Sequence, residues 1–285
     1  MESQAASASA PGPPETVLEP PKGWSFPSFK ELWQQRDLIY LMSRRDIVVR
    51  YKQSVLGALW AVIQPLTFAA VFSVFFGILI QIEAPYGIPY PLFAAAGMVL
   101  WLVFAEGLAA CALSMVVSGS LLSKVYLPRL ILPFASLMPR AFDLVIGFLV
   151  LIPIAWGFGY APSPSLLLFP VVFLLTGAVA LGAGLWFAAL NVKYRDIVML
   201  VPFITMVGLF VSPIIYPITE VPQELQPLYA LNPMSGILEL WRFMFLPTAW
   251  PSATLLAIPV GVSLFLLVTG LIYFKRAEPQ FSDII

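Results

Sequence analysis

Residues 44–60 read Arg44-Arg45-Asp46-Ile47-Val48-Val49-Arg50-Tyr51-Lys52-Gln53-Ser54-Val55-Leu56-Gly57-Ala58-Leu59-Trp60. Four cations crowd the first nine positions, and no charged side chain follows until Glu83. The uncharged run exceeds the roughly 20 residues that cross a bilayer. Lys52 therefore marks the point where the chain passes from water into lipid. Five further apolar stretches follow, at about 91–117, 130–157, 165–190, 197–216 and 252–274.

The distribution of charge orients these stretches. Fourteen of the 15 Lys and Arg residues lie before the first stretch, near the connector after the second, after the fourth and after the sixth. Arg242 alone lies on the other side. The positive-inside rule places the fourteen in the cytoplasm, with both termini. An even number of spans follows, and six is the number read. Composition agrees: 60% of the 285 residues are hydrophobic and 11% charged, with mean hydropathy +0.91. A soluble domain carries about 25% charged residues, so no large soluble domain fits. The fold class expected is all-α integral membrane, with an amphipathic interface helix before six transmembrane helices and short re-entrant helices between spans 5 and 6.

The boundaries expected are a disordered cytoplasmic tail at 1–28, an interface helix at 29–54, a permease domain at 55–276 and a cytoplasmic tail at 277–285. The first 21 residues hold no Lys or Arg and are rich in Pro, Ala and Ser, which reads as disorder. From Phe29 onward, Phe29, Leu32, Trp33, Tyr40 and Ile47 recur at helical spacing, opposite polar residues. Such a helix suits the membrane interface. Pro65 is the expected kink of span 1.

Some chemistries are excluded. The chain has no His, which removes His-ligated metal sites and the usual general base. Its one cysteine, Cys111, allows no intrachain disulfide. There is no Gly-rich phosphate loop followed by Lys-Ser/Thr. If ATP drives this protein, another chain must hydrolyse it.

Three blocks carry a resemblance. The first is residues 44–60, running on to Gln64-Pro65. The second is Asn191-Val192-Lys193-Tyr194-Arg195-Asp196, followed by Pro202 and Ser212-Pro213-Ile214-Ile215-Tyr216. The third is Val221-Pro222, then Leu231-Asn232-Pro233-Met234 and Glu239-Leu240-Trp241-Arg242. In this order the chain resembles the permease subunit of ABC transporters that export polysaccharides such as O-antigen, capsule or teichoic acid. The resemblance covers about residues 30–276. It implies a homodimer in the cell inner membrane, two copies of a cytoplasmic ABC ATPase that bind ATP and Mg, and a lipid-linked glycan as substrate. It implies no cofactor in this chain, no metal and no nucleic acid. It also implies a coupling helix within Gly119–Leu130, where Ser123, Lys124, Tyr126 and Arg129 would meet the ATPase. Segment 218–246 would narrow the outer exit, with Tyr216, Asn232, Glu239 and Arg242 as gate residues.

Residue chemistry suggests further roles, each beside a plainer one. Arg44, Arg45, Arg50 and Lys52 can hold a polyprenyl pyrophosphate, because Arg pairs bidentately with phosphate; equally, they set topology and meet anionic headgroups. Trp60, Phe68, Phe72 and Phe75 can stack on sugar rings, or simply face lipid and pack helices. Glu106 has no partner nearby in sequence, which directs it to the translocation path or to a second subunit. Arg140 and Asp143, three residues apart, suit a structural ion pair. A drug or lipid exporter permease of the same superfamily is the alternative reading, and an integral-membrane glycosyltransferase a more distant one.

Overall fold

The computed structural model describes residues 33, 35–52, 55–82, 87–122 and 127–281. The expected tail 1–28, both ends of the interface helix, the middle of the connector and residues 282–285 lie outside the described residues. All regular structure among the described residues is helical. Helix α1 is Arg36–Lys52. A 3-10 turn at Gly57–Leu59 opens span 1, which continues as α2, Trp60–Phe72, and a π-helical segment, Ser73–Leu79. Then come α3 (Tyr90–Val117), α4 (Gly119–Leu122), α5 (Ile131–Gly157), α6 (Phe169–Lys193), α7 (Ile197–Val211), α8 (Gln226–Ala230), α9 (Pro233–Phe245) and α10 (Ala253–Ala277).

Five of the helical stretches are long and apolar enough to cross a membrane: 57–79, 90–117, 131–157, 164–193 and 253–280. The expected fifth span is shorter. Its helix α7 has 15 residues, about 22 Å at 1.5 Å per residue. It stops at Val211 because Pro213 disfavours helical geometry at the residue before it; Ser212 is extended, at φ −89° and ψ 150°. Residues 212–216 then fold inward instead of continuing the span.

Helix α3 is the centre of the bundle and packs against α2, α5, α6, α7 and α9. Apart from Glu106, its 28 residues carry no charge and show apolar side chains on every side, as suits a helix enclosed by others. Phe93, Met98, Leu100 and Met115 are fully buried along it. Span 1 is the opposite case. It runs through Pro65 and widens at Ser73, whose hydroxyl donates to the Ala69 carbonyl at 2.6 Å. It packs mainly on α3, and only 17% of its apolar window is buried.

Helix α1 packs along α5. Met42 and Ser43 face inward, while Trp33 and Tyr40, two members of the expected apolar face, are exposed. Helices α6 and α10 cross where Gly182 meets Gly270. A Cβ at Gly270 would strike the Gly182 carbonyl, which is backbone and cannot yield. Without a hydrophobic drive between helices in lipid, such close backbone approach supplies the packing. Gly270→Ala should therefore cost about 1–3 kcal/mol by overpacking. Gly261→Ala, on the same helix with open space around it, should stay within about 0.5 kcal/mol. Thermal denaturation of the two variants in detergent checks the contrast.

Candidate functional site

A charge cluster joins three elements. Arg50 comes from the last turn of α1, Glu106 from α3, and Arg140 and Asp143 from α5. Arg50 Nη2 lies 3.3 Å from Glu106 Oε2 and 3.1 Å from Asp143 Oδ2. Arg140 Nη1 lies 2.7 Å from Glu106 Oε2 and 3.2 Å from Asp143 Oδ2. The Tyr51 hydroxyl donates to Asp143 Oδ1, and its ring rests edge-on against Phe142 at 5.8 Å. Two cations cancel two anions, and Tyr51 satisfies the second carboxylate oxygen of Asp143.

Only one of these pairs has a local sequence signal, the i,i+3 spacing of Arg140 and Asp143. Glu106, which sequence spacing left without a partner, has two here: Arg50, 56 residues earlier, and Arg140. Arg50 does not join the other cations of its helix. Arg44, Arg45 and Lys52 are exposed, and Arg45 pairs with Asp46 at 2.7 Å. Arg44 and Arg45 rim a cleft of about 670 Å³ floored by Leu38, Met42, Leu121 and Leu127. The four expected phosphate-binding cations thus divide into an outward group and one inward arginine.

The aromatic residues of span 1 lie on its open side. Trp60, Phe68 and Phe75 are exposed, and Phe72 is half-buried between Phe68 and Phe76, with centroids at 6.2 and 5.9 Å. Among the described residues no helix buries Trp60, Phe68 or Phe75, while Phe72 and Phe76 pack against the core.

The expected gate residues form a bracket around residues 212–216. Arg242 is fully buried. Its Nη1 donates to the Pro213 carbonyl at 2.5 Å and to Glu239 at 3.2 Å, and its Nη2 to the Ile214 carbonyl at 2.7 Å. The guanidinium lies 3.7 Å from the Phe93 ring centroid. Asn232 caps α9 by accepting from the Met234 amide at 3.1 Å, while its Nδ2 donates to Ser212 Oγ at 2.8 Å. Tyr216 donates to the Phe210 carbonyl at 3.0 Å and meets the Tyr229 hydroxyl at 2.9 Å. Trp241 and Tyr90 complete the bracket, donating to the carbonyls of Ala96 and Ile215 at 2.8 and 2.7 Å. Burial raises the Glu239 carboxyl above its ordinary range, and Arg242 opposes that shift.

In the connector, Ser123, Lys124 and Tyr126 lie outside the described residues. Arg129 donates to the Glu278 carbonyl and sits 5.7 Å from the Phe281 ring centroid, which ties the connector to the C-terminal turn.

An all-helical bundle with five helices long and apolar enough to cross a bilayer is the architecture of a multi-pass membrane protein. The family model described as ABC-2 type transporter matches residues 37–246, and the chain belongs to that family. It is 25% identical over 250 residues to the O-antigen export system permease protein RfbA of Klebsiella pneumoniae, covering 87% of this chain and 95% of that one. To RfbA of Myxococcus xanthus it is 26% identical over 256 residues, covering 89% and 97%. To the polysialic acid transport protein KpsM of Escherichia coli it is 22% identical over 251 residues, covering 86% and 95%.

The charge cluster gives a direct test. Asp143 has a side chain only 5% exposed, so Asp143→Asn should cost about 3–5 kcal/mol by leaving an arginine uncompensated. Glu106 keeps 30% exposure, so Glu106→Gln should cost less, about 1–3 kcal/mol. The double variant Arg50→Gln/Glu106→Gln, which restores neutrality, should lose less than the sum of its singles. Equilibrium denaturation of the four proteins in detergent measures the coupling.

Proposed function

We propose that this chain is the membrane permease subunit of an ABC transporter that exports a lipid-linked polysaccharide, of O-antigen or capsule type, across the inner membrane. The observation that carries the reading is the extent of the similarity. Three relatives named for O-antigen or polysialic acid transport align over 95–97% of their own length. The subunit works as a homodimer, with two copies of a cytoplasmic ATPase that bind ATP and Mg. Both termini face the cytoplasm.

The weakly buried face of span 1 and the exposed apolar face of α7 support a second copy, because each presents large side chains with no partner helix of this chain. Trp60, Phe68, Phe72 and Phe75 line the path between the copies, where flat apolar ring faces contact sugars without holding them strongly. A conduit lined by charge would trap or exclude a long polar chain. The outward cations Arg44, Arg45 and Lys52 receive the pyrophosphate of the carrier lipid. Arg50 keeps their helix seated by its pairs with Glu106 and Asp143. Ser123, Lys124, Tyr126 and Arg129 couple the bundle to the ATPase. The bracket of Tyr216, Asn232, Glu239 and Arg242 closes the outer end at rest, since an open pore of sugar width would dissipate ion gradients.

Two experiments test this. The purified chain should show no ATP hydrolysis alone, and hydrolysis and glycan export should appear together when its ATPase partner is added in proteoliposomes. Robust hydrolysis by this chain alone would sink the reading. Phe68→Ala should lower glycan export more than protein level or ATPase assembly. An equal fall in all three would place Phe68 in packing rather than in the path.

A further inference from the structure

Span 1 changes its hydrogen-bond ladder between Phe72 and Ile80. Over Ser73–Leu79 the amides reach one residue further back than in an α-helix; the Ile80 amide donates to the Phe75 carbonyl at 3.0 Å. This is the single π-helical segment among the described residues. The Ser73 hydroxyl covers the Ala69 carbonyl where the wide turn begins. Gln81, just past its end, lies in the left-handed region at φ 60°, a conformation uncommon for a residue with a Cβ. The turn therefore holds one residue more than an α-helix needs. Such turns recur at functional sites.

The wide turn faces two ways. Val74, Phe75, Ile78 and Leu79 are exposed, on the side given to the glycan path under Proposed function. Gly77 lies on the ring of Tyr90, where a Cβ would sit 3.3 Å from the ring carbons. The Tyr90 hydroxyl donates to the Ile215 carbonyl at 2.7 Å. Its ring lies 6.2 Å from that of Phe93, on which the Arg242 guanidinium rests. Arg242 holds the carbonyls of Pro213 and Ile214, the two residues before Ile215. Tyr90 thus touches the wide turn with its ring and the outer bracket with its hydroxyl.

A hinge inside a bilayer must keep every backbone group bonded. A π turn that tightens to α meets this condition. Each amide exchanges the carbonyl five residues back for the one four back, and no group is left open. Tightening passes the extra residue out beyond Gln81 and turns Gly77 off the Tyr90 ring. We propose that the Ser73–Leu79 turn is the hinge of the outer exit. A glycan pressed on Phe75 tightens it, Gly77 leaves Tyr90, and Tyr90 releases Ile215 from the bracket. Tyr90 is the positioning residue that carries the movement. This hinge presupposes the permease reading and adds to it that the exit opens to its own cargo.

The full chain is tested in two ways. In a source strain lacking the chromosomal copy, the wild-type gene should restore surface glycan; failure of that control strikes the permease reading itself. Deletion of Val74, an exposed residue of the wide turn, lets the ladder close as an α-helix with Gly77 still on Tyr90. It should cut surface glycan about tenfold, while melting temperature in detergent stays unchanged or rises. Undiminished export would overturn the hinge. So would a parallel loss of export and melting temperature, which marks a packing role. In proteoliposomes without the ATPase, Tyr90→Phe should raise sucrose leakage about fivefold by freeing Ile215. Gly77→Ala, which crowds the ring, should leak as well, and the double variant no more than Tyr90→Phe alone. Sealed Tyr90→Phe vesicles, or additive leakage in the double variant, would overturn the link from the turn to the bracket. Val71→Ala, at an exposed position just before the wide turn, should change neither readout.

Discussion

A charge held away from water must find its opposite, and in this bundle that requirement decides which helices meet. Arg50 brings the end of α1 to α3 and α5 because Glu106 and Asp143 are there. Arg242 draws residues 213 and 214 inward because their carbonyls and Glu239 are the acceptors within reach. In lipid, apolar packing alone cannot do this, since hydrocarbon is as good a solvent for Leu as another helix is. Ion pairs and backbone acceptors supply the specificity. Small residues such as Gly182 and Gly270 supply the close approach.

Two kinds of arginine result. Arg44 and Arg45 stay outside, where they obey the rule that sets topology. Arg242 breaks that rule only while its side chain is imagined in water. It is fully buried, so its charge is spent on Glu239 and two carbonyls and exerts little on the surface of its own side. An orientation read from Lys and Arg counts is therefore more one-sided than the raw tally suggests.

What the sequence made legible followed from local rules. The long apolar runs became helices, and the i,i+3 pair Arg140–Asp143 formed as its spacing implied. Asn232, quoted from the sequence only as part of a family block, caps the helix that begins at Pro233. The shortness of α7 was also written locally, in Ser212-Pro213, but hydropathy averages across that break and hides it. The partners of Glu106 were not legible, because no periodicity links residues 50, 106 and 140. The same holds for Tyr51 and Asp143, which meet across 92 residues. Met42 and Ser43, not Trp33 and Tyr40, meet the bundle, since the face that α1 buries depends on where α5 lies. The aromatic face of span 1 was visible as a stripe, but only the bundle reveals that Trp60, Phe68 and Phe75 stay uncovered by the described helices.

The order in which the cluster is synthesised has a consequence for biogenesis. Arg50 and Tyr51 leave the ribosome well before Glu106, and longer still before Asp143. At about 5–20 residues per second, the 92 residues between Tyr51 and Asp143 represent roughly 5–20 s. For most of that interval the first span is already made, but the pair of anions that seats the helix before it is incomplete. The final seat of α1 against α5 is taken only after the third span has been inserted, so the first part of the chain to be made is among the last to be put in place.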